Sequence, residues 1–126
     1  VEHVIRFLGN RDDIPSLLAG AAFLLHTSDR EGLPNVILEA MACGRAVVGT
    51  DAGDVPYLID NGKTGFVVPK EDEAALADHV ATLLKDRELC RRMGEAGRIK
   101  AEQEFSLDRL VPETFSVYRA EGWEDR

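Results

Sequence analysis

Glu31 and Glu39 are separated by seven residues, Gly-Leu-Pro-Asn-Val-Ile-Leu, and the run continues through Ala-Met-Ala-Cys to Gly44. An unpaired carboxylate among apolar side chains is costly, so Glu39 needs a reason for its place. A carboxylate only accepts hydrogen bonds, so its natural ligand partners are hydroxyls and amides. Pro34 suits a first helical position, where its missing N–H would have had no partner. The amides of Gly32, Leu33, Asn35 and Val36 would then surround a helix start, and the helix dipole would favour an anion there. Gly32 lets backbone approach a ligand closely. Glu31 stands on the rim of that anion position, and Glu39 lies one turn beyond Asn35 on the same helical side. Both carboxylates are therefore predicted to face one cleft. A molecule with hydroxyls at two ends and phosphate between them would satisfy all three features, and a nucleotide diphosphate sugar has that layout.

The elements that must hold this motif alternate along the chain. Predicted strands are Val4 to Leu8, Ala22 to His26, Ala46 to Thr50 and Gly65 to Val68. Between them fall a helix capped by Asp12 or Asp13 with Pro15 in its first turn, the motif helix from Pro34 to Cys43, and a short helix from Val55 to Ile59. Gly44 is placed to end the motif helix in the left-handed conformation. Such alternation implies right-handed crossovers and a parallel sheet covered on both faces. Ligands of an open α/β sheet bind beyond the carboxyl ends of its strands, where residues 28–39 fall. After Pro69 the pattern is helical. Leu76, Val80, Leu83 and Leu84 mark one face of a helix from Asp72 to Lys85, and Leu89, Met93, Ala96 and Ile99 one face of a helix from Asp86 to Glu104. Ser106 starts a last helix that Pro112 is predicted to kink or to delay. Residues 121–126 read as a frayed end. The expectation is a single α/β domain over residues 1–126, with a Rossmann-like sheet core in 1–70 and helices in 71–120.

Composition narrows the partners. Fifteen Lys and Arg against 23 Asp and Glu give a formal charge of −8, which argues against a nucleic-acid footprint and a polybasic membrane patch. Cys43 and Cys90 are isolated, so neither a zinc site nor a redox pair is indicated, and a reducing, cytoplasmic setting follows. The opening VEHVIRFLG begins at a strand edge without Met, as expected of a piece of a longer protein.

Glu31 and Glu39, followed by Ala-Met-Ala-Cys-Gly, resemble the E-x7-E signature of the GT-B glycosyltransferases of family 4, the group 1 family. The resemblance runs on through AVVGTDAGDVPYLIDNGKTGFVVPKED into the later helices and matches the latter part of that family's C-terminal, donor-binding domain. It implies an enzyme of the hexosyltransferase type that moves a sugar from a nucleotide diphosphate sugar with retention of configuration, without a cofactor and usually without a metal. It implies that Glu31 contacts the donor sugar near the reacting centre, that Glu39 holds the ribose hydroxyls, and that the amides of Gly32, Leu33, Asn35 and Val36 meet the sugar and diphosphate. Gly9, Asn10 and Arg11 match the loop beside the nucleobase. Two departures stand out. Ala46 occupies a position that is often proline, and the family's basic residues for the diphosphate have no counterpart here. The acceptor would bind an N-terminal domain absent from this chain, so the chain alone is expected to be inactive. Peripheral membrane contact of the full-length protein and its oligomeric state are left open.

Other readings compete. Glu31 and Glu39 also fit an ordinary loop acid and helix acid paired with arginine. His26 reads as a hydrogen-bonded core histidine and Asp51 as a turn cap. The sheet pattern alone permits a non-catalytic, flavodoxin-like module for protein interaction or phosphate sensing. The chain lacks the Gly-x-Ser-x-Gly elbow of hydrolases, and no Gly-x-Gly-x-x-Gly follows a strand.

Overall fold

Strand β2 (Ala46–Thr50) is buried along its whole length, because Ala, Val, Val and Gly offer neither face to water. It pairs in parallel with β1 (Phe23–His26) on one side and β3 (Gly65–Val68) on the other. Phe23 lies opposite Ala46, and Val47 lies opposite Gly65. The helices are α1 (Ile14–Gly20), α2 (Asn35–Ala42), α3 (Val55–Leu58), α4 (Glu73–Lys85), α5 (Arg87–Glu104) and α6 (Leu107–Ala120). The computed structural model describes residues 2–123.

The pleat of β2 separates two cores. On one face Val47 joins Leu18, Ile37, Ala40, Met41, Val55 and Leu58 from α1, α2 and α3, and Ile59 just after α3. On the other, Ala46 and Val48 join Val68, Leu83, Cys90 and Met93 beneath α4 and the first half of α5. Fully burying a side chain such as Ile37 or Met41 is worth about 1.5–3 kcal/mol. Helix α5 belongs to both cores. Cys90 and Met93 lie on the α4 face, whereas Ala101 reaches the α2 face. Its middle passes the amino end of β2, where Gly94 abuts the main chain of Gly44. Lys100, buried, ties the far half of α5 down by donating to Asp60 Oδ1 (2.6 Å) and to the Tyr57 carbonyl (3.1 Å).

Capping explains several boundaries. The Asp72 carboxylate accepts from the Ala75 amide at 2.9 Å, and that of Asp86 from the Leu89 amide at 2.8 Å. Gly44 ends α2 with φ of 68°. Asp13 stands at the N-cap of α1, yet its carboxylate is taken by Arg11 instead (2.6 and 2.7 Å).

Five expectations need correction. Residues 4–8 form no strand; Glu2–Val4 is a 3-10 turn, and Ile5 and Phe7 are exposed. A strand exists only through its ladder. The described sheet has three strands in the order β1-β2-β3, and none of them pairs with residues 4–8, so that run has no ladder to join. Helix α2 starts at Asn35, with Pro34 as its extended N-cap rather than its first helical residue. The α4 stripe includes Leu83, whereas Leu84 faces out, and Ile99 likewise lies outside the buried face of α5. Helix α6 runs unbroken through Pro112. The Ser106 hydroxyl caps its start, the Arg109–Glu113 pair (2.7 Å) brackets the proline, and the Thr114 hydroxyl donates to the Leu110 carbonyl, so one lost ladder bond is tolerated. Finally, the end of the chain is built as far as it is described. Trp123 donates its amide to the Tyr118 carbonyl at 2.9 Å and packs on Phe115 and Tyr118, while residues 124–126 lie outside the described range.

Candidate functional site

The carboxyl ends of β1 and β2 carry two loops that brace each other. The Thr50 hydroxyl donates to the Ser28 carbonyl (2.6 Å), and the Ser28 hydroxyl to the Arg30 carbonyl (3.0 Å). The Asp54 amide donates to the Gly32 carbonyl at 3.0 Å. Gly53, at φ of 52°, lies so close that a Cβ there would sit 2.1 Å from the Glu31 carbonyl oxygen. These contacts fix the main chain that presents Glu31.

The Glu31 side chain is partly buried beside His26. Its Oε1 lies 3.0 Å from His26 Nε2, but the approach is not that of a directed hydrogen bond, so the buried ring nitrogen has no aligned acceptor. The expected hydrogen-bonded core histidine is therefore instead a neighbour of Glu31 with an unsatisfied nitrogen.

Beyond Glu31 the chain turns into α2. Among the described residues, the amides of Gly32, Leu33, Asn35 and Val36 donate to no protein acceptor; the first bond of the helix is Ile37 to Pro34. Open donors at a helix start are what an anion requires. The space over Gly32 is empty to 4 Å, and Leu33 is exposed.

Glu39 is not buried. It and Asn35 line a hollow of about 730 Å³ whose other walls include Leu38 and Ala42 of α2, Ala101 and Glu102 of α5, Phe105 and Leu107. An acidic residue in an apolar run is thus explained first by geometry, since Glu39 occupies the solvent side of α2. Glu31 is not among the residues lining this hollow. The structure joins Asn35 to Glu39, and Glu31 and Gly32 to the Gly53–Asp54 loop. Gly9, Asn10 and Arg11 lie apart and exposed, with Gly9 at φ of 67°; Asn10 and Arg11 line a separate shallow depression with Asp12 and Asp13. There the Arg11 guanidinium holds the Asp13 carboxyl below its ordinary range. A lowered carboxyl stabilises above its unfolded value, and that contribution fades as the pH falls through the folded one.

Sequence reasoning missed Gly53, Asp54, Phe105 and Leu107. The signal for the first two was the Gly-containing loop after a buried strand, which is where α/β sheets hold ligands. Phe105 and Leu107 reach the hollow only through the path of α5 and α6. Asp51, read as a turn cap, is exposed, and its carboxylate makes no hydrogen bond among the described residues.

An open parallel sheet flanked by helices, with free amides and carboxylates beyond the carboxyl ends of its strands, defines the class: an α/β domain with the fold of the C-terminal domain of GT-B glycosyltransferases. The chain belongs to the glycosyl transferases group 1 family, whose model matches residues 1–100. It is 37% identical over 118 residues to N-acetyl-alpha-D-glucosaminyl L-malate synthase of Bacillus anthracis, covering 94% of this chain and 31% of that protein. Over 112 residues it is 37% identical to alpha-maltose-1-phosphate synthase of Mycolicibacterium smegmatis, covering 84% and 29%. The chain therefore spans less than a third of the length of these curated relatives. Among solved structures, Anabaena Alr3699/HepE in complex with UDP matches with a TM-score of 0.84 at 32% identity, over 92% of this chain and 33% of that one. The C-terminal domain of the group 1 family protein LpcC from Francisella tularensis matches with a TM-score of 0.72 at 27% identity, over 82% and 53%. No helix among the described residues is long and apolar enough to cross a membrane.

Proposed function

We propose that this chain is the donor-binding part of a retaining glycosyltransferase that takes its sugar from a nucleotide diphosphate sugar. The observation that carries the reading is the set of unpaired amides from Gly32 to Val36 at the start of α2. They suit the diphosphate, whose charge the helix dipole also favours. Glu39, open to solvent one turn along, would accept from the ribose hydroxyls. Glu31, on the rim, would accept from hydroxyls of the sugar next to the bond that breaks. In such a reaction the leaving diphosphate takes part in accepting the acceptor's proton, so holding its charge lowers the barrier to departure. UDP in the Anabaena neighbour supports the donor class, and family membership favours catalysis over a non-catalytic sensing or interaction module.

In the full-length enzyme, Glu39→Ala is expected to weaken donor binding by about 1.5–3 kcal/mol, roughly 10- to 150-fold, as for loss of a charged hydrogen bond. Calorimetric titration of a well-folded variant with unchanged donor affinity would remove the ribose role. Glu31→Ala is expected to lower turnover more than donor affinity; equal turnover would take it away from the reacting centre. The isolated chain is expected to transfer no sugar.

A further inference from the structure

The amino edge of the sheet, opposite the loops carrying Glu31, holds a second hollow of about 360 Å³. Ala22 and Gly44, the residues leading toward β1 and β2, form one side; Leu83, Leu84 and Cys90 of α4 and α5 form the other. The remaining wall is three arginines, Arg45, Arg87 and Arg91, and no acidic residue lines it. In a chain of net charge −8 that is a marked local reversal of sign.

The arginines differ in how they are satisfied. Arg91 is neutralised by Glu88 and Glu95. Arg87 is exposed and has no carboxylate within ion-pair distance among the described residues. Arg45 is only partly exposed; it donates one Nη2 bond to the Ala19 carbonyl (2.8 Å), it has no acidic partner among the described residues, and its Nε is shut away from solvent with no acceptor. A ligand in the hollow cannot reach that closed Nε; the donors left open to one are Arg45 Nη1, which bonds no protein acceptor among the described residues, and the guanidinium of Arg87. Burial pushes the Cys90 thiol up, and the charge of Arg45 beside it opposes that rise.

We propose that this hollow is a second ligand site, for a small phosphate-type oxyanion held by Arg45 and Arg87. Guanidinium forks match the geometry of phosphate oxygens, and the buried apolar side chains of Leu83 and Cys90 beside them lower the local dielectric. The volume admits inorganic phosphate or the phosphate end of a small ester. The site does not depend on the donor assignment, because it lies at the other edge of the sheet and shares no residue with it.

The test is an amide NMR titration of the 126-residue chain with potassium phosphate, against potassium chloride at matched ionic strength. Saturable shifts of the Gly44, Cys90 and Arg91 amides are expected with phosphate alone. Arg87→Gln, at an exposed position that tolerates exchange, is expected to weaken binding roughly tenfold, and Arg45→Gln more. A parallel titration with glucose 6-phosphate separates the sources: tighter binding assigns the site to a phosphate ester, equal binding to the free ion. Shifts that never saturate, that chloride reproduces, or that Arg87→Gln leaves unchanged would overturn the proposal.

Discussion

Gly53→Ala is expected to lower stability by about 2–5 kcal/mol and to displace the main chain around Glu31. Two costs combine. At φ of 52° any L side chain is strained, by about 1–2 kcal/mol. The new Cβ would also lie 2.1 Å from the Glu31 carbonyl oxygen and 2.8 Å from that of Gly32. Both opposing atoms are backbone, so no side chain can swing aside, and overpacking adds about 1–3 kcal/mol. Relief requires the loops to separate, which breaks the bond from the Asp54 amide to the Gly32 carbonyl. Gly62→Ala is the control. Its φ is 79°, but nothing lies within 4 Å of a Cβ there, so only the strain should appear. Thermal melting and the amide shifts of Glu31 and Gly32 check the pair. A Gly53→Ala protein that melts with wild type would show that the loops are not braced here.

This contrast also shows which features were legible in the sequence. Local signals carried well: the continuous apolar run of β2, the helix starts at Asp72 and Asp86, which the structure shows to be caps, and Gly44 at the end of α2 all act within a few residues of themselves. The motif helix was legible within one residue, because Pro34 serves an N-cap nearly as well as a first turn. What failed was non-local. Residues 4–8 have the composition of a strand, but pairing depends on a neighbour that composition does not name. Glu39 looked like a buried acid because α2 is apolar on most of its surface, and only the packing of α2 showed which side faces water. The neighbour of Glu31 came from a different element, His26 at the end of β1. Likewise the hollow beside Glu39 takes half its wall from residues 101–107, more than sixty positions away.

Helix α5 supplies the sharpest instance, and a second large effect. Hydropathy selects Leu89, Met93, Ala96 and Ile99, whereas the buried face runs through Cys90, Met93, Gly94, Gly97, Lys100 and Ala101. Glycine scores as neutral in such a pattern, yet here it marks the side that packs most closely. Gly94→Ala would place a Cβ 2.1 Å from the Gly44 carbonyl oxygen and 3.2 Å from the Ala46 amide nitrogen. The helix would have to lift from the turn that joins α2 to β2. Met93 and Cys90 would withdraw from one core and Ala101 from the other, so the loss is expected to reach about 3 kcal/mol or more. One turn along, Gly97→Ala should do the reverse. Its Cβ would meet the Met41 side chain at 3.4 Å, an ordinary contact, and alanine removes the glycine penalty in a helix interior, a gain of about 0.5–1 kcal/mol. Urea denaturation of both variants measures the difference directly. Opposite signs at two glycines three residues apart would establish that α5 is seated by main-chain contact at Gly94. If both variants shift stability alike, propensity alone governs the helix, and the crossing of the sheet edge contributes nothing.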